Sequence, residues 1–92
     1  MIEIERAFNQ CAELIDQYGH CNEDYGSFEE GFCMIEAMNI VERRLDMPSC
    51  TLYNEAFKAM NVNTISEWSD THSKEQVISK FRELANQALE SA

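Results

Sequence analysis

The sequence predicts an all-α domain, a compact bundle of about four helices with a short helical turn, and three observations support this. Apolar residues recur at spacings of three and four positions along most of the chain, as they do on one face of an amphipathic helix. One Pro and three Gly leave few helix breakers in 92 residues, and a chain of this length holds one core, so residues 1–92 are expected to form a single domain. No stretch alternates apolar and polar residues over the length of a full strand, although a short strand pair near residues 20–28 or near Val62 stays open.

The first predicted helix covers residues 3–18. Gly19 follows it as the expected stop, because glycine adopts without steric cost the left-handed conformation that ends many helices. Residues 20–26 are polar, and we expect them to form a loop. The apolar face of the helix consists of residues three or four positions apart, namely Ile4, Phe8, Cys11, Ile15 and Tyr18.

The second predicted helix begins at Ser27 and extends to Leu45. Ser27 and Glu30 have the spacing of a capping box, in which each side chain binds a backbone N–H group at the start of the helix. Arg43 and Arg44 lie in the last turn, where positive charges interact favourably with the helix dipole. Apolar residues occupy more than one side of this segment, which predicts that it is the central, most buried helix.

Three further helical segments are predicted in the second half of the chain. Asn61 and Asn63 are the expected stop residues of the third helix, because Asn tolerates the left-handed conformation. Trp68, in the short turn, is expected to pack the last helix against the others. The capping residues that predict where these segments begin are Ser49 or Thr51 for the third helix, Thr64 with Glu67 for the short turn, and Ser73 with Gln76 for the last helix.

The four cysteines are predicted to be reduced and mostly buried. Cys11 and Cys33 lie within helical patterns, and the first residues lack the basic and apolar regions of a secretory signal, so a cytoplasmic location is expected. Structural zinc needs closely spaced ligand pairs, and Cys11, Cys21, Cys33 and Cys50 lie at least ten positions apart. We therefore expect no metal and no cofactor. No apolar run is long enough to cross a membrane.

Two other kinds of site fit the sequence poorly. In a calcium-binding EF-hand loop with Gly26 at position six, Cys21 would stand at position one and Phe32 at position twelve, where oxygen ligands are required. Cysteine catalysis through Cys21 would use His20 as its base, but adjacent side chains rarely point together and no glycine-rich turn builds an oxyanion hole. The chain is therefore expected not to be an enzyme, and a cysteine-dependent enzyme stays an alternative.

The net charge of −10 is concentrated in the first half of the chain. Residues 1–46 carry eleven acidic residues and three basic ones, residues 47–92 carry six and four, and no Lys or Arg occurs from Ala7 to Glu42. Such a charge distribution repels nucleic acid and anionic membranes and attracts basic protein surfaces. The residues predicted to contact such a surface are Glu13, Asp16, Glu23, Asp24, Tyr25, Glu29 and Glu30. The weaker alternative, local contact with RNA, would use Lys74, Lys80 and Arg82.

The order of these signals resembles a family of small helical domains of unknown function from phage and bacterial genomes. Its members have a helix that ends near a Cys-containing loop, a Cys-x-x-x-Ala helix, and an Ile-x-x-Trp-[Asn/Ser]-Asp segment before a last amphipathic helix. The resemblance covers most of the chain and implies a helical fold, but it implies no activity. The matching residues are Cys21, Cys33, Ala37, Ile65, Trp68, Ser69, Asp70, Val77 and Phe81.

Size and charge are also similar to those of phage-encoded inhibitors of bacterial defence, including anti-CRISPR proteins. This similarity of class implies a domain that docks in the host cytoplasm on a basic, nucleic-acid-binding surface of a protein complex, such as a CRISPR effector, and blocks nucleic-acid binding. An alternative is a structural or adaptor oligomer of a phage or bacterial operon. Its interface would use the adaptable side chains of Met34, Met38, Met47 and Met60.

Overall fold

The computed structural model describes residues 2–20, 26–27 and 31–90. In these ranges the chain forms five helices and one two-stranded antiparallel sheet, which confirms the all-α class with a very short strand pair. Four helices are long and the fifth is the predicted short turn. In chain order the elements are α1 (Ile2–Tyr18), β1 (Gly26–Ser27), β2 (Gly31–Phe32), α2 (Met34–Arg44), α3 (Thr51–Met60), α4 (Ile65–Asp70) and α5 (Lys74–Glu90).

The core forms around α1. Its apolar face packs against α2, α3, α5 and β2, and its contact with α5 is the most extensive between any two helices. There the rings of Phe8 and Phe81 stack with their centroids 6.3 Å apart, and both side chains are buried. Full burial of a side chain of this size contributes about 1.5–3 kcal/mol. The second helix was expected to be central and most buried. The largest interface belongs to α1 instead, but α2 has the larger buried share, with six of its eleven residues buried against seven in the seventeen-residue α1.

The start of α2 differs from the prediction. The helix begins at Met34, and Ser27 belongs to β1, where it pairs with Gly31 of β2. Glu30, the other half of the predicted capping box, lies outside the described residues. The N-cap is Cys33, whose backbone is extended and whose Sγ accepts a hydrogen bond from the Glu36 N–H at 3.4 Å.

The segment that precedes α2 lies against the end of α1, and the two meet at Gly31 and Gly19. This contact explains why the predicted second helix does not extend back to Ser27. Gly19 has a φ of +99° and ends α1 as predicted, and its N–H donates to the Ile15 carbonyl at 2.8 Å. Gly31 has a φ of +94°, and a Cβ added there would lie 2.5 Å from the Gly19 carbonyl carbon. Because only a residue without a side chain fits, β2 can lie directly against the end of α1. The Phe32 N–H donates to the Gly19 carbonyl at 3.0 Å, and His20 pairs with Phe32 in a parallel bridge.

The predicted ends of α3 are only partly confirmed. Asn61, left-handed with a φ of 54°, ends the helix as expected, whereas Asn63 is not among the described residues with positive φ. The structure has Cys50 as N-cap, where Ser49 or Thr51 was expected. Cys50 has a φ of 67° and its side chain makes no capping hydrogen bond, while Thr51 is the first helical residue.

A buried carboxylate from α2 caps the start of α3 instead. Glu42 is 4% exposed, and its two oxygens accept hydrogen bonds from the N–H groups of Cys50 (3.3 Å) and Leu52 (2.8 Å). The first N–H groups of a helix have no partner within it, and a negative charge there interacts favourably with the helix dipole. Glu42 therefore satisfies two donors of α3 and joins this helix to α2.

The starts of the last two helices are as predicted. The Thr64 Oγ1 accepts from the Glu67 N–H at 3.1 Å. Ser73 and Gln76 form a reciprocal capping box, in which the Ser73 N–H donates to the Gln76 Oε1 at 2.8 Å and the Gln76 N–H donates to the Ser73 Oγ at 3.2 Å. Trp68 is half-buried against the core. No helix in the described part of the chain is long and apolar enough to cross a membrane.

Replacement of Glu42 by Ala should destabilise the fold strongly. The substitution leaves the N–H groups of Cys50 and Leu52 without acceptors at a buried site, and we expect the free energy of unfolding to fall by about 2–4 kcal/mol. Urea denaturation followed by circular dichroism measures this change. Glu55→Ala, which removes an exposed carboxylate of α3, is the control and should cost no more than about 0.5 kcal/mol. Equal losses in the two variants would contradict the capping role of Glu42.

Candidate functional site

The structure describes two of the seven residues predicted to contact a partner. Glu13 and Asp16 are exposed on α1, three positions apart and therefore on one side of the helix. Among the described residues the ion pairs join Arg43 to Glu36 and Lys80 to Glu83, and neither Glu13 nor Asp16 has a Lys or Arg partner. Their negative charges are thus not compensated by any described base. The other five, Glu23, Asp24, Tyr25, Glu29 and Glu30, lie outside the described residues.

These five residues belong to the segment that connects α1 to β2. Residues 23–25 come between α1 and β1, and residues 29–30 come between the two paired strands. Both ends of the segment are held, since α1 ends at Gly19 and β2 lies against that residue. The described residues that flank the acidic segment on either side therefore meet at the end of α1.

A hydrogen-bonded cluster from three parts of the chain lies at this point. The Ser69 side chain of α4 is fully buried, and its Oγ accepts from the Met34 N–H, the first of α2, at 3.2 Å. The His20 Nε2 lies 3.0 Å from the same oxygen. A hydroxyl carries one proton and two lone pairs, so Ser69 can accept from Met34 and donate to a neutral His20 at the same time.

The electrostatic surroundings of His20 favour this neutral form. Burial lowers the pKa of His20 and outweighs the nearby negative charge of Asp70, which acts in the opposite direction. With Nε2 as the acceptor, the ring proton is assigned to Nδ1. Ser69 and His20 together thus connect α4, the end of α1 and the start of α2.

The cluster does not have the properties of a nucleophilic catalytic site. A histidine beside a serine hydroxyl is the arrangement of a base and its nucleophile, but Ser69 has no exposed surface through which it could reach a substrate. Burial raises the pKa of the neighbouring Cys33, whose sulfur caps α2. Of the pair proposed for cysteine catalysis, His20 is bonded to Ser69 and Cys21 lies outside the described residues. Within the described ranges, no three His, Cys, Asp or Glu side chains are grouped so as to hold a metal ion.

The three basic residues of α5 do not form one patch. The Lys80 Nζ lies 3.1 Å from Glu83 and 5.6 Å from the centre of the Trp68 ring, which stacks on His72. Arg82 is on a different side of the helix, since residues two positions apart do not face each other, and its Nη1 donates to the Asn9 Oδ1 of α1 at 2.8 Å. Lys74 is part of the first turn. A joint RNA contact by Lys74, Lys80 and Arg82 therefore lacks a common face.

The methionines proposed as an oligomer interface are divided between core and surface. Met34 and Met38 are buried in the core, so they are not available to a second subunit in this fold. Met47 and Met60 are half-buried against the core. The expected interface thus loses two of its four residues.

Two hollows of the described surface lie beside α1. One of about 490 Å³ lies between the start of α1 and residues 45–48, and one of about 420 Å³ lies between α1, α3 and α5. Its lining includes the buried side chains of Ile4, Phe8 and Leu84. The large apolar side chains that are exposed in the described residues are Phe57 and Leu89.

The sequence patterns did not predict Ser69 and Glu42, the two buried side chains that connect helices through hydrogen bonds. Ser69 bonds to a residue 35 positions away and Glu42 to residues eight and ten positions away. Capping boxes are recognised by a spacing of three, so no local signal marks either residue. The resemblance does include Ser69, together with Cys33, Ala37 and Ile65, and these four are buried.

No family model, curated protein or solved structure matches the chain. The resemblance to phage and bacterial helical domains therefore stays an expectation from the sequence.

Replacement of Ser69 by Ala should show that its hydroxyl stabilises the fold. The variant leaves the Met34 N–H without its acceptor and His20 without its partner, and we expect the free energy of unfolding to fall by about 1–3 kcal/mol. Ser66→Ala removes an exposed hydroxyl from the same helix and should change it by less than about 0.5 kcal/mol. Chemical denaturation of both variants measures the difference, and similar values for the two would contradict the role of Ser69.

The neutral state of His20 predicts a pH dependence of stability. Because burial lowers its pKa in the folded protein, the unfolded chain binds a proton first as the pH falls below about 6.5. The folded state then loses stability until the pH reaches the lower, folded pKa. Urea denaturation at neutral and mildly acidic pH should therefore show a larger loss for the unmodified chain than for His20→Gln, which cannot titrate. The variant keeps all the carboxylates, so their titration lowers the free energy of unfolding equally in both proteins. Equal losses in the two proteins would exclude a contribution from His20.

Proposed function

We propose that the chain is a non-enzymatic protein that binds, through the acidic face of its first half, to a basic surface of a protein complex. The observation that carries the proposal is the charge distribution. Glu13 and Asp16 are exposed on one side of α1 without a described basic partner, and no Lys or Arg occurs from Ala7 to Glu42. A face of this kind attracts basic proteins and repels anionic ones.

The target in this proposal is a surface that otherwise binds nucleic acid. Such surfaces place Lys and Arg along a groove to neutralise phosphates, and Arg binds carboxylates with the same fork of N–H groups. An acidic domain docked there excludes the nucleic acid both by its volume and by its charge. CRISPR effector complexes are the target that the similarity of class implies, so the proposed role is that of a phage-encoded anti-CRISPR inhibitor.

Electrostatics also define how the complex should respond to salt. Charged surfaces accelerate association, and the attraction between exposed charges is screened over about 8–10 Å at physiological ionic strength. Binding through the acidic face should therefore weaken as salt is added, whereas a mainly apolar contact would change little.

Competition with nucleic acid tests the proposal directly. A panel of purified CRISPR effector ribonucleoproteins is incubated with fluorescent target DNA and increasing amounts of the protein, at low and at high salt. We expect the protein to displace the DNA from a member of the panel, and to do so less well at high salt. An absence of salt-sensitive competition throughout the panel would contradict the proposed role.

Charge reversal identifies the face that binds. The double variant Glu13→Lys with Asp16→Lys should weaken the competition by about tenfold or more, since each change replaces an attraction by a repulsion. The matched control is Glu75→Lys with Glu90→Lys, which makes the same change in net charge on exposed positions of α5. It should weaken competition by no more than about twofold if the contact is local. Equal effects of the two double variants would show that net charge, and not the α1 face, determines binding.

A further inference from the structure

The third helix, α3, carries apolar side chains on two of its faces. The inner face consists of Leu52 and Ala56, both buried. A second face, about a quarter turn away, is formed by Tyr53, Phe57 and Met60, which lie four and three positions apart. Phe57 is 39% exposed, Tyr53 and Met60 are half-buried at the edge of the core, and the rings of Tyr53 and Phe57 lie 6.0 Å apart. We call this second face the aromatic stripe of α3.

The aromatic stripe differs from the other exposed apolar side chain of the described residues. Leu89 stands alone on α5, because its neighbours on the same side of the helix include the polar Asn86 and Arg82. Single apolar residues on a surface are common, whereas contiguous ones mark interaction surfaces. The aromatic stripe is therefore the better candidate for a contact.

The aromatic stripe also lies on an uncharged side of its helix. The charged residues of α3 are Glu55 and Lys58, and both line the hollow between α1, α3 and α5, on the side away from the stripe. The exposed polar residues that border the stripe are Asn54 and Asn61, which carry no charge. A surface of this kind does not attract nucleic acid or a basic protein, and it fits another uncharged apolar surface.

The position of α3 keeps the acidic parts of two copies apart if they meet there. The helix lines a hollow together with Ile4 and Phe8, in the first half of α1. The residues that flank the acidic segment meet at Gly19, about 16 Å further along α1, which exceeds the screening length of about 8–10 Å. Glu13 lies on the opposite side of α1 from Ile4 and Phe8. Two copies of this acidic chain can therefore approach through α3 with little repulsion.

We propose that the aromatic stripe of α3 is a self-association surface, through which two copies of the chain form a weak dimer. The same stripe on both copies gives a contact with twofold symmetry. If the two helices are antiparallel and cross at Phe57, Tyr53 of each copy lies towards Met60 of the other, and a thioether packs well against an aromatic ring. The inference does not depend on the proposed function, because self-association is measured without any other partner.

The size of the stripe limits the affinity of the dimer. A standard interface buries about 800 Å² on each partner, and a helix of ten residues is about 15 Å long and offers less. Standard interfaces have dissociation constants from about 1 µM downwards, so we expect a value above about 1 µM here.

Sedimentation equilibrium of the full chain tests the inference over protein concentrations from about 1 µM to about 1 mM. We expect the mass to rise from 10.6 kDa towards twice that value. Added salt should strengthen the association, because it screens the repulsion between two acidic copies. A monomer mass over the whole range would overturn the inference. A dimer that dissociates as salt is added would also overturn it, because that response indicates contact between opposite charges.

Two serine variants locate the contact. Phe57→Ser removes an exposed side chain, so the helical circular dichroism should be retained, and the dissociation constant should rise at least about tenfold. Leu89→Ser is the matched control, since it removes an exposed apolar side chain from α5, and it should leave the constant unchanged within about twofold. Equal effects of the two variants would exclude α3 as the contact.

A charge beside the stripe gives an independent test that leaves the apolar packing intact. Asn54→Glu places a carboxylate at an exposed position of α3, and in a twofold dimer the two new charges face the same contact. We expect weaker association at low salt and recovery as salt is added. An unchanged dissociation constant at low salt would contradict the proposed contact.

Discussion

The backbone contact between Gly19 and Gly31 is the constraint on which the arrangement of this protein depends. It fixes where α1 ends, since the chain turns at Gly19, and it sets the position of β2, since a side chain at Gly31 would overlap the Gly19 backbone. The Phe32 N–H donates to the Gly19 carbonyl, and His20 pairs with Phe32 in the parallel bridge beside it. As a result, β2 and the start of α2 both lie at one end of α1. The contact costs conformational entropy at both glycines, and it is retained because the packing on either side depends on it.

Two buried polar side chains connect α2 to helices that also pack against it. Ser69 caps α2 from α4, and Glu42 caps α3 from α2. Each satisfies donors that a helix start leaves without partners, and no buried side-chain nitrogen or oxygen in the described residues lacks a hydrogen bond. Hydrogen bonds are directional, unlike apolar contacts, so these bonds favour one relative orientation of the two helices. The small core is thereby given a unique arrangement.

The sequence predicts most of this fold through local signals. Helical periodicity identifies α1, α3 and α5, Gly19 and Asn61 mark helix ends, and the boxes at Thr64 and Ser73 mark helix starts, since each depends on residues within four positions. The prediction fails at Ser27, where a correct capping spacing is overridden by strand pairing with Gly31. The position of Gly31 depends in turn on its contact with Gly19, twelve positions away, which no local pattern records. The candidate site is less predictable still. Glu13 and Asp16 follow from charge and helical position, but the bonds of Ser69 and Glu42 join distant parts of the chain.

The attachment of α3 has a consequence for the dynamics of the folded protein. This helix buries only Leu52 and Ala56, and its start depends on the carboxylate of Glu42. An element with so few buried side chains has a low free energy of local opening, and it can unfold as a separate cooperative unit while the α1–α5 pair stays intact. The amide hydrogens of α3 would then exchange with solvent through partial opening, far more often than those at the centre of α1. We therefore expect stability in this small domain to be graded, from a resistant two-helix core to a helix attached by few buried side chains and one buried carboxylate.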